Sequence, residues 1–246
     1  TAGSGSEMTA AAVIEDQQKN VKLSITSPYL VPKIAVIDPQ LQTGMPPFIT
    51  ATTGMDALTH AIESYVSKRE NPVADLFALK AIKLIARSIR AATADGNDIQ
   101  ARADMALAST LAGVAFMNGG LGIVHGISQT LGAIAHVAHG EANALLLPYC
   151  MEKNAPACPE RFWDIAQTLG EDVSTLSNKE AAKLAAKAAF RLAEDLHIPT
   201  KLHEVGVTRE MFDAIVEGTM AYRMLSINPM KITEQDVRDI LEAAYA

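Results

Sequence analysis

The chain has 246 residues, 49% of them hydrophobic and 20% charged, with a net charge of -7; that leaves ample apolar surface for a packed core and too little charge to keep the chain unfolded. The acidic balance and the lack of any Lys/Arg stripe exclude a nucleic-acid partner, which needs cations to displace phosphate counterions. No run approaches the roughly 18 apolar residues of a membrane span, and two cysteines, Cys150 and Cys158, make no disulfide framework. A small-molecule function in the cytoplasm, with no membrane partner, is the expectation.

The first residues, Thr1-Ala2-Gly3-Ser4-Gly5-Ser6, begin without methionine and carry no basic-then-apolar leader pattern. This Gly/Ser run reads either as an expression-tag scar or as a natural loop. Strands are predicted at 12–14, 21–26 and 34–37, separated by polar or proline-bearing turns. Three such strands bury no core of their own, so they read as the edge of a larger β-containing unit.

After Asp38-Pro39 and Pro46-Pro47 the texture becomes helical and stays so to the end. Abundant alanine and only 5% aromatic residues favour helices as well. Helices are predicted over 50–68, 73–94, 98–117, 124–137, 140–153, 159–169, 178–196, 208–222 and 233–245. Asn71-Pro72 marks one start, Asp95-Gly96 its close, and Thr233-Glu-Gln-Asp236 is a capping-box pattern opening the last helix. With no internal repeat, the one domain border falls near residue 45, dividing 1–45 from an all-helical 46–246.

Asp56 and His60 stand four apart within Thr53-Gly-Met-Asp-Ala-Leu-Thr-His-Ala-Ile-Glu63. On a helix that spacing stacks both side chains on one face, able to grip an ion or simply to hydrogen-bond each other. Downstream, Gly119-Gly-Leu-Gly-Ile-Val-His125-Gly126 and His136-Val-Ala-His139-Gly140 place three of the six histidines within fifteen positions. His125 falls near a helix start and His139 in the loop beyond that helix. Each histidine has an ordinary reading as a cap or a hydrogen-bonded core residue. Taken together, one carboxylate and three imidazoles make a nitrogen/oxygen set that suits Fe2+ or Zn2+ and not Ca2+ or Mg2+. Such a cation with an open position acts as a Lewis acid towards an alcohol or carbonyl oxygen.

The stretches Thr53–Tyr65, Phe116–Gly126 and His139–Pro148, with Asp38-Pro39, Met45-Pro46, Asn71-Pro72 and Ile227-Asn228-Pro229, resemble the signatures of the iron-containing (group III) alcohol dehydrogenases over essentially the whole chain. The resemblance implies a mainly α fold: the helical C-terminal domain of the dehydroquinate-synthase-like/iron alcohol dehydrogenase fold, preceded by strands left from an α/β Rossmann-like domain. It implies hydride transfer between an alcohol and an aldehyde or ketone, with NAD or NADP, in a homo-oligomer that is at least a dimer. The metal, Fe2+ with Zn2+ as the alternative, would be held by Asp56, His60, His125 and His139. Residues 1–45 become the remnant of a dinucleotide-binding domain, in which Gly3, Ser4, Thr9 and Lys22 contact the cofactor, glycine letting backbone approach the pyrophosphate. Lys22 also reads as a solvated strand lysine. Phe116 matches a substrate-pocket position, although an aromatic in an apolar helix is ordinarily core. Glu63 reads as a partner of the ligands, not a ligand.

Two departures from the family pattern bear on function. The amino-terminal half with its Gly-Gly-Gly-Ser phosphate loop would precede Thr1, so weak nicotinamide binding is expected of this chain alone. One turn after His125, where many members have histidine, stands Gln129, which cannot shuttle a proton; His136 is the other candidate for that role. Alternative readings are a zinc-dependent glycerol dehydrogenase, a dehydroquinate-synthase-like lyase, and a non-catalytic helical module that merely holds metal.

Overall fold

The computed structural model describes residues 3–16 and 21–245, excluding the side chains of residues 15, 16, 21 and 22. Strand β1, Ala11–Asp16, pairs antiparallel with β2, Val21–Thr26, in a register that sets Ala11 opposite Thr26 and Asp16 opposite Val21. The third predicted strand, 34–37, does not form. That segment is irregular, with Ile34 and Val36 82% and 83% exposed. β-branched residues favour extended backbone, but a strand exists only with a ladder partner, and none lies beside this segment among the described residues.

The remainder is helical, as the periodicity predicts: α1 (Pro47–Val66), α2 (Pro72–Ala94), α3 (Ile99–Gly119), α4 (Ile123–Ile134), α5 (His139–Asn154), α6 (Pro159–Thr168), α7 (Asn178–Asp195), α8 (Phe212–Met220) and α9 (Glu234–Tyr245). Most bounds shift by one to three residues, and three of the departures have a local cause or bear on the site. Helix α4 stops at Ile134 because His136 takes a left-handed φ of 55°, which no helix continues. Helix α5 starts at His139 itself and not beyond it. The predicted 208–222 helix is a 3-10 turn, Arg209–Met211, followed by the shorter α8.

Helix α1 is the centre of the fold. It packs on α2, α3, α5 and α6 and is buried on almost every side, from Thr50 through Val66 with the exception of Thr53. Met55, Leu58 and Ile62 of α1, Ile82, Ile85 and Ile89 of α2, and Ile123, Ile127 and Leu131 of α4 are fully buried core residues. Helix α7 turns an alanine stripe inward, Ala181, Ala182, Ala185, Ala186 and Ala189. Small side chains let helix backbones approach closely, so this core needs few aromatics.

Several helices close their own first turns. Asn71 Oδ1 accepts from Val73 N and Ala74 N at 3.1 Å each, and Asp98 Oδ1 accepts from Ala101 N at 2.9 Å. Thr233 and Asp236 form the predicted reciprocal box: Thr233 N donates to Asp236 Oδ2 at 2.8 Å, and Asp236 N to Thr233 Oγ1 at 3.2 Å. In α1, α4 and α5 the N-cap residues Pro46, Gly122 and Ala138 offer no side-chain cap. At the start of α1 the fully buried Arg102 acts as an anchor. Its Nη1 donates to Thr50 Oγ1 at 2.7 Å, its Nε to Gly96 O at 3.0 Å and its Nη2 to Met45 O at 3.3 Å.

Candidate metal centre

Buried polar groups in the central helix require partners, and α1 carries Asp56, His60 and Glu63 inward. Asp56 and His60 lie one turn apart on one face. His125 arrives from the first turn of α4 and His139 from the first residue of α5. Asp56 Oδ1 stands 3.7 Å from His60 Nε2, 4.0 Å from His125 Nε2 and 3.6 Å from His139 Nε2. One donor atom from each of the four residues lies within 4.8 Å of all the others. The imidazoles of His60 and His125 stack at 4.8 Å between centroids, and His139 meets His125 edge-on at 5.3 Å. Asp56, His60 and His125 are buried, whereas the His139 side chain is 37% exposed, so the cluster has one open side.

The donor set fits a divalent transition ion. Metal bonds of about 2.1 Å in a tetrahedron hold donor atoms roughly 3.4 Å apart, close to the separations around Asp56. Burial pushes His60 down to about 4, against the raising pull of Asp56, so its ring is neutral and offers a lone pair near pH 7. Burial works to raise the Asp56 carboxyl, yet the imidazoles of His60, His139 and His125 and the Asn143 amide outweigh it and hold the group below its usual value. A carboxylate beside a neutral His60 ring is a form suited to binding metal.

Two neighbours complete the centre. The Glu63 carboxylate meets His125 Nδ1 at 2.6 Å and accepts from Val124 N at 2.7 Å. A proton held on Nδ1 by that bond leaves the His125 Nε2 lone pair facing Asp56. The partner role expected of Glu63 is thus filled by its geometry. Gly122 leaves room for this arrangement, because a Cβ there would lie 2.6 Å from Asn228 Oδ1 and 3.1 Å from Glu63 Oε1. The second neighbour, Asn143, is absent from the sequence reading. One turn after His139, its Nδ2 lies 2.6 Å from Asp56 Oδ1, 3.3 Å from His125 Nε2 and 3.2 Å from His139 Nε2. Its Oδ1 is buried without a hydrogen-bond partner among the described residues. The i, i+4 spacing from His139 was its only signal, and an amide is not an expected metal ligand.

The remaining candidates are scattered around this core. Phe116 lies against His60 with ring centroids 4.5 Å apart. Gly3 packs so tightly on α1 that a Cβ would come 2.2 Å from Thr53 O, and its backbone also bears on His60. The loop it opens is therefore part of the folded chain beside the centre. Ser4 is exposed and accepts from Ser6 N at 3.3 Å, while the buried Thr9 hydroxyl donates to Ser6 O at 3.3 Å. The Lys22 side chain lies outside the described residues. Gln129 is half-buried one turn along α4 from His125; His136 is exposed and outside the four-residue cluster.

A sequence profile of the Fe-containing alcohol dehydrogenase family, C-terminal, matches residues 50–245, and one of iron-containing alcohol dehydrogenase matches residues 1–39. The chain belongs to this family. It is 44% identical over 245 residues to a 1,3-propanediol dehydrogenase of Klebsiella pneumoniae, covering 100% of this chain and 63% of the relative. It is 42% identical over 247 residues to long-chain-alcohol dehydrogenase 1 of Geobacillus thermodenitrificans, covering 100% of this chain and 62% of the relative. A crystal structure of 1,3-propanediol oxidoreductase matches with a TM-score of 0.97 at 44% identity, over 100% of this chain and 64% of that one. The chain therefore spans 63% of the length of the first of these relatives. Membership in the iron-containing alcohol dehydrogenases implies a metal and a nicotinamide cofactor. Among the described residues no single helix is long and apolar enough to cross a membrane.

Proposed function

We propose that this chain holds Fe2+ through Asp56, His60, His125 and His139, and that the complete protein moves a hydride between a small alcohol and NAD(P). The observation that carries the reading is the convergence of one carboxylate oxygen and three imidazole nitrogens within 4.8 Å on a buried site with one open side. Bound there, a divalent ion supplies Lewis-acid polarisation of an alcohol or carbonyl oxygen. The chain's own residues do the rest. Glu63 orients His125, the buried walls exclude water, and Phe116 beside His60 forms an apolar wall against which the carbon chain of the substrate lies. Gln129 carries no exchangeable acid proton at neutral pH, so its contribution is hydrogen bonding and not proton transfer.

Residues 1–45 we assign to the dinucleotide-binding unit, with Gly3, Ser4, Thr9 and Lys22 facing the cofactor, and 46–246 to the metal-binding unit. The apolar side chains presented by the first segment support this: Val13, Ile14, Leu23 and Ile25 are each about half exposed, and Tyr29 is 96% exposed, as a sheet edge that packs against further structure would be.

A primary-alcohol substrate is the reading that the names of the 1,3-propanediol and long-chain-alcohol relatives support. Two measurements test the reading. Anomalous scattering at the iron and zinc edges, on crystals of the chain loaded with each ion, is expected to place iron among the four donors and to lose it in His125→Ala. The full gene product is expected to oxidise 1,3-propanediol with NAD+ or NADP+. A wild-type chain that takes up no metal defeats the proposal.

A further inference from the structure

The N-cap of helix α4 is Gly122, which has no side chain to close the first turn, and the amides at the helix start are met from distant parts of the chain. Glu63 takes Val124 N, and Asn228 Oδ1 accepts from Ile123 N at 3.2 Å. Asn228 is 1% exposed and fully engaged. Its Oδ1 also accepts from Asn154 Nδ2 at 3.2 Å, and its Nδ2 donates to Asn154 Oδ1 at 2.7 Å and to Met230 O at 2.9 Å. Asn154 is the last residue of α5. The adjoining Ile227 carbonyl accepts from Lys68 N at 2.8 Å and from Ser67 Oγ at 3.4 Å, just beyond the end of α1. The turn at 227–230 is thus bonded at one end of each of the three helices that carry the four donors.

We propose that Asn228 is a positioning residue of the metal centre: by closing the first turn of α4 against α5 it sets where His125 Nε2 stands relative to Asp56, His60 and His139. The proposal rests on the reading that those four groups hold a metal. Glu63 does not substitute for it, because Glu63 hangs on α1 and engages the next amide along. With Asn228 truncated, the Ile123 amide and both ends of the Asn154 amide lose their partners in a buried site. The helix start must then shift or fray to reach water. His125 is the third residue of that helix, so its ring moves with the turn.

The test is a cobalt titration of the chelator-stripped 246-residue chain against a chromophoric competitor, with far-UV circular dichroism to establish that each variant is folded. Asn228→Ala is expected to weaken cobalt binding about 10- to 100-fold, the range typical of groups that orient metal ligands, and to alter the visible d–d bands. In a His125→Ala background the same change is expected to cost less than about twofold, because the arm it positions is gone. Asn154→Ala, which leaves the Ile123 bond but unties Asn228 from α5, is expected to give a smaller loss in the same direction. Unchanged cobalt affinity and spectrum in Asn228→Ala overturn the proposal, and so does a full loss that persists without His125. Should Asn228→Ala not fold, Asn154→Ala decides by the same criteria. A wild-type chain that binds no cobalt removes the metal-site reading and this proposal together; wild-type binding with indifferent variants removes this proposal alone.

Discussion

Glu63 grips His125 at two levels at once: one carboxylate oxygen meets the ring at Nδ1, 2.6 Å away, and the other accepts the amide of the preceding residue, Val124, at 2.7 Å. The ring of His125 and the backbone just before it are therefore held by a single buried carboxyl group. Glu63→Gln keeps the shape and removes the charge. It is expected to weaken metal binding about 10- to 100-fold, measured by competition with a chelator at neutral pH. An unaltered dissociation constant would show that the carboxylate is ornamental to His125.

Asn143 ties Asp56 to His125 and His139 through one amide nitrogen. Stripped of metal, Asn143→Ala is expected to lose about 1–3 kcal/mol of stability, because the donors it bridges are left facing one another without it. An ion takes over that bridging, so added Zn2+ is expected to raise the melting temperature of the variant by more than that of the wild type. Thermal unfolding with and without zinc checks this, and a smaller rise in the variant contradicts it.

Burial pushes His60 down to about 4 from an ordinary value of 6.5. Between those two values the unfolded chain binds a proton that the folded chain refuses, so stability of the metal-free protein falls as the pH drops from about 6.5 towards 4 and is flat above that window. The full effect is about 3 kcal/mol. Urea midpoints at pH 7 and pH 5 in the presence of a chelator measure it. His60→Gln is expected to flatten the profile in that range, and an equally steep profile in the variant would assign the effect to another group.

Arg102 satisfies Met45 O, Gly96 O and Thr50 Oγ1 from a fully buried position. Arg102→Met fills much of the volume but leaves those acceptors dry, and a loss of about 3 kcal/mol is expected by urea unfolding. A cost below about 1 kcal/mol would mean that water reaches them instead.

Gly122→Ala places a methyl 2.6 Å from Asn228 Oδ1 and 3.1 Å from Glu63 Oε1. One of those groups must retreat, so metal affinity is expected to drop about tenfold or more with little change in helix content. Circular dichroism and the cobalt titration together separate this outcome from general unfolding.

Helix positions were legible because apolar residues recur at helical spacing over long runs and several starts carry their own caps, as at Asn71 and Thr233. The 34–37 run misled, since its β-branched residues speak for extended backbone but not for the neighbour a strand requires. The early stop of α4 was hidden too, because Ala135-His136 carries none of the Gly or Asn signals that mark a left-handed turn. Within the site, Asp56 and His60 were readable from spacing on one helix. His125 and His139 come from the starts of two other helices; their residue types and clustering suggested a shared ion with Asp56, and the motif resemblance strengthened that link. Asn228 lies in a run that carries the resemblance, but its role was out of reach of any local pattern, because the amide it serves, at Ile123, is more than a hundred positions away.

That separation has a bearing on how the protein is made. The first turn of α4 borrows its closing groups, and one of them emerges from the ribosome long after the helix itself. Until residue 228 is synthesised, the nascent chain has His125 on an unfinished helix end, with a flexible glycine behind it. If Asn228 sets the place of His125, the four side chains reach their final spacing only after residue 228 has been made, by which point helices α1 to α8 have all been synthesised.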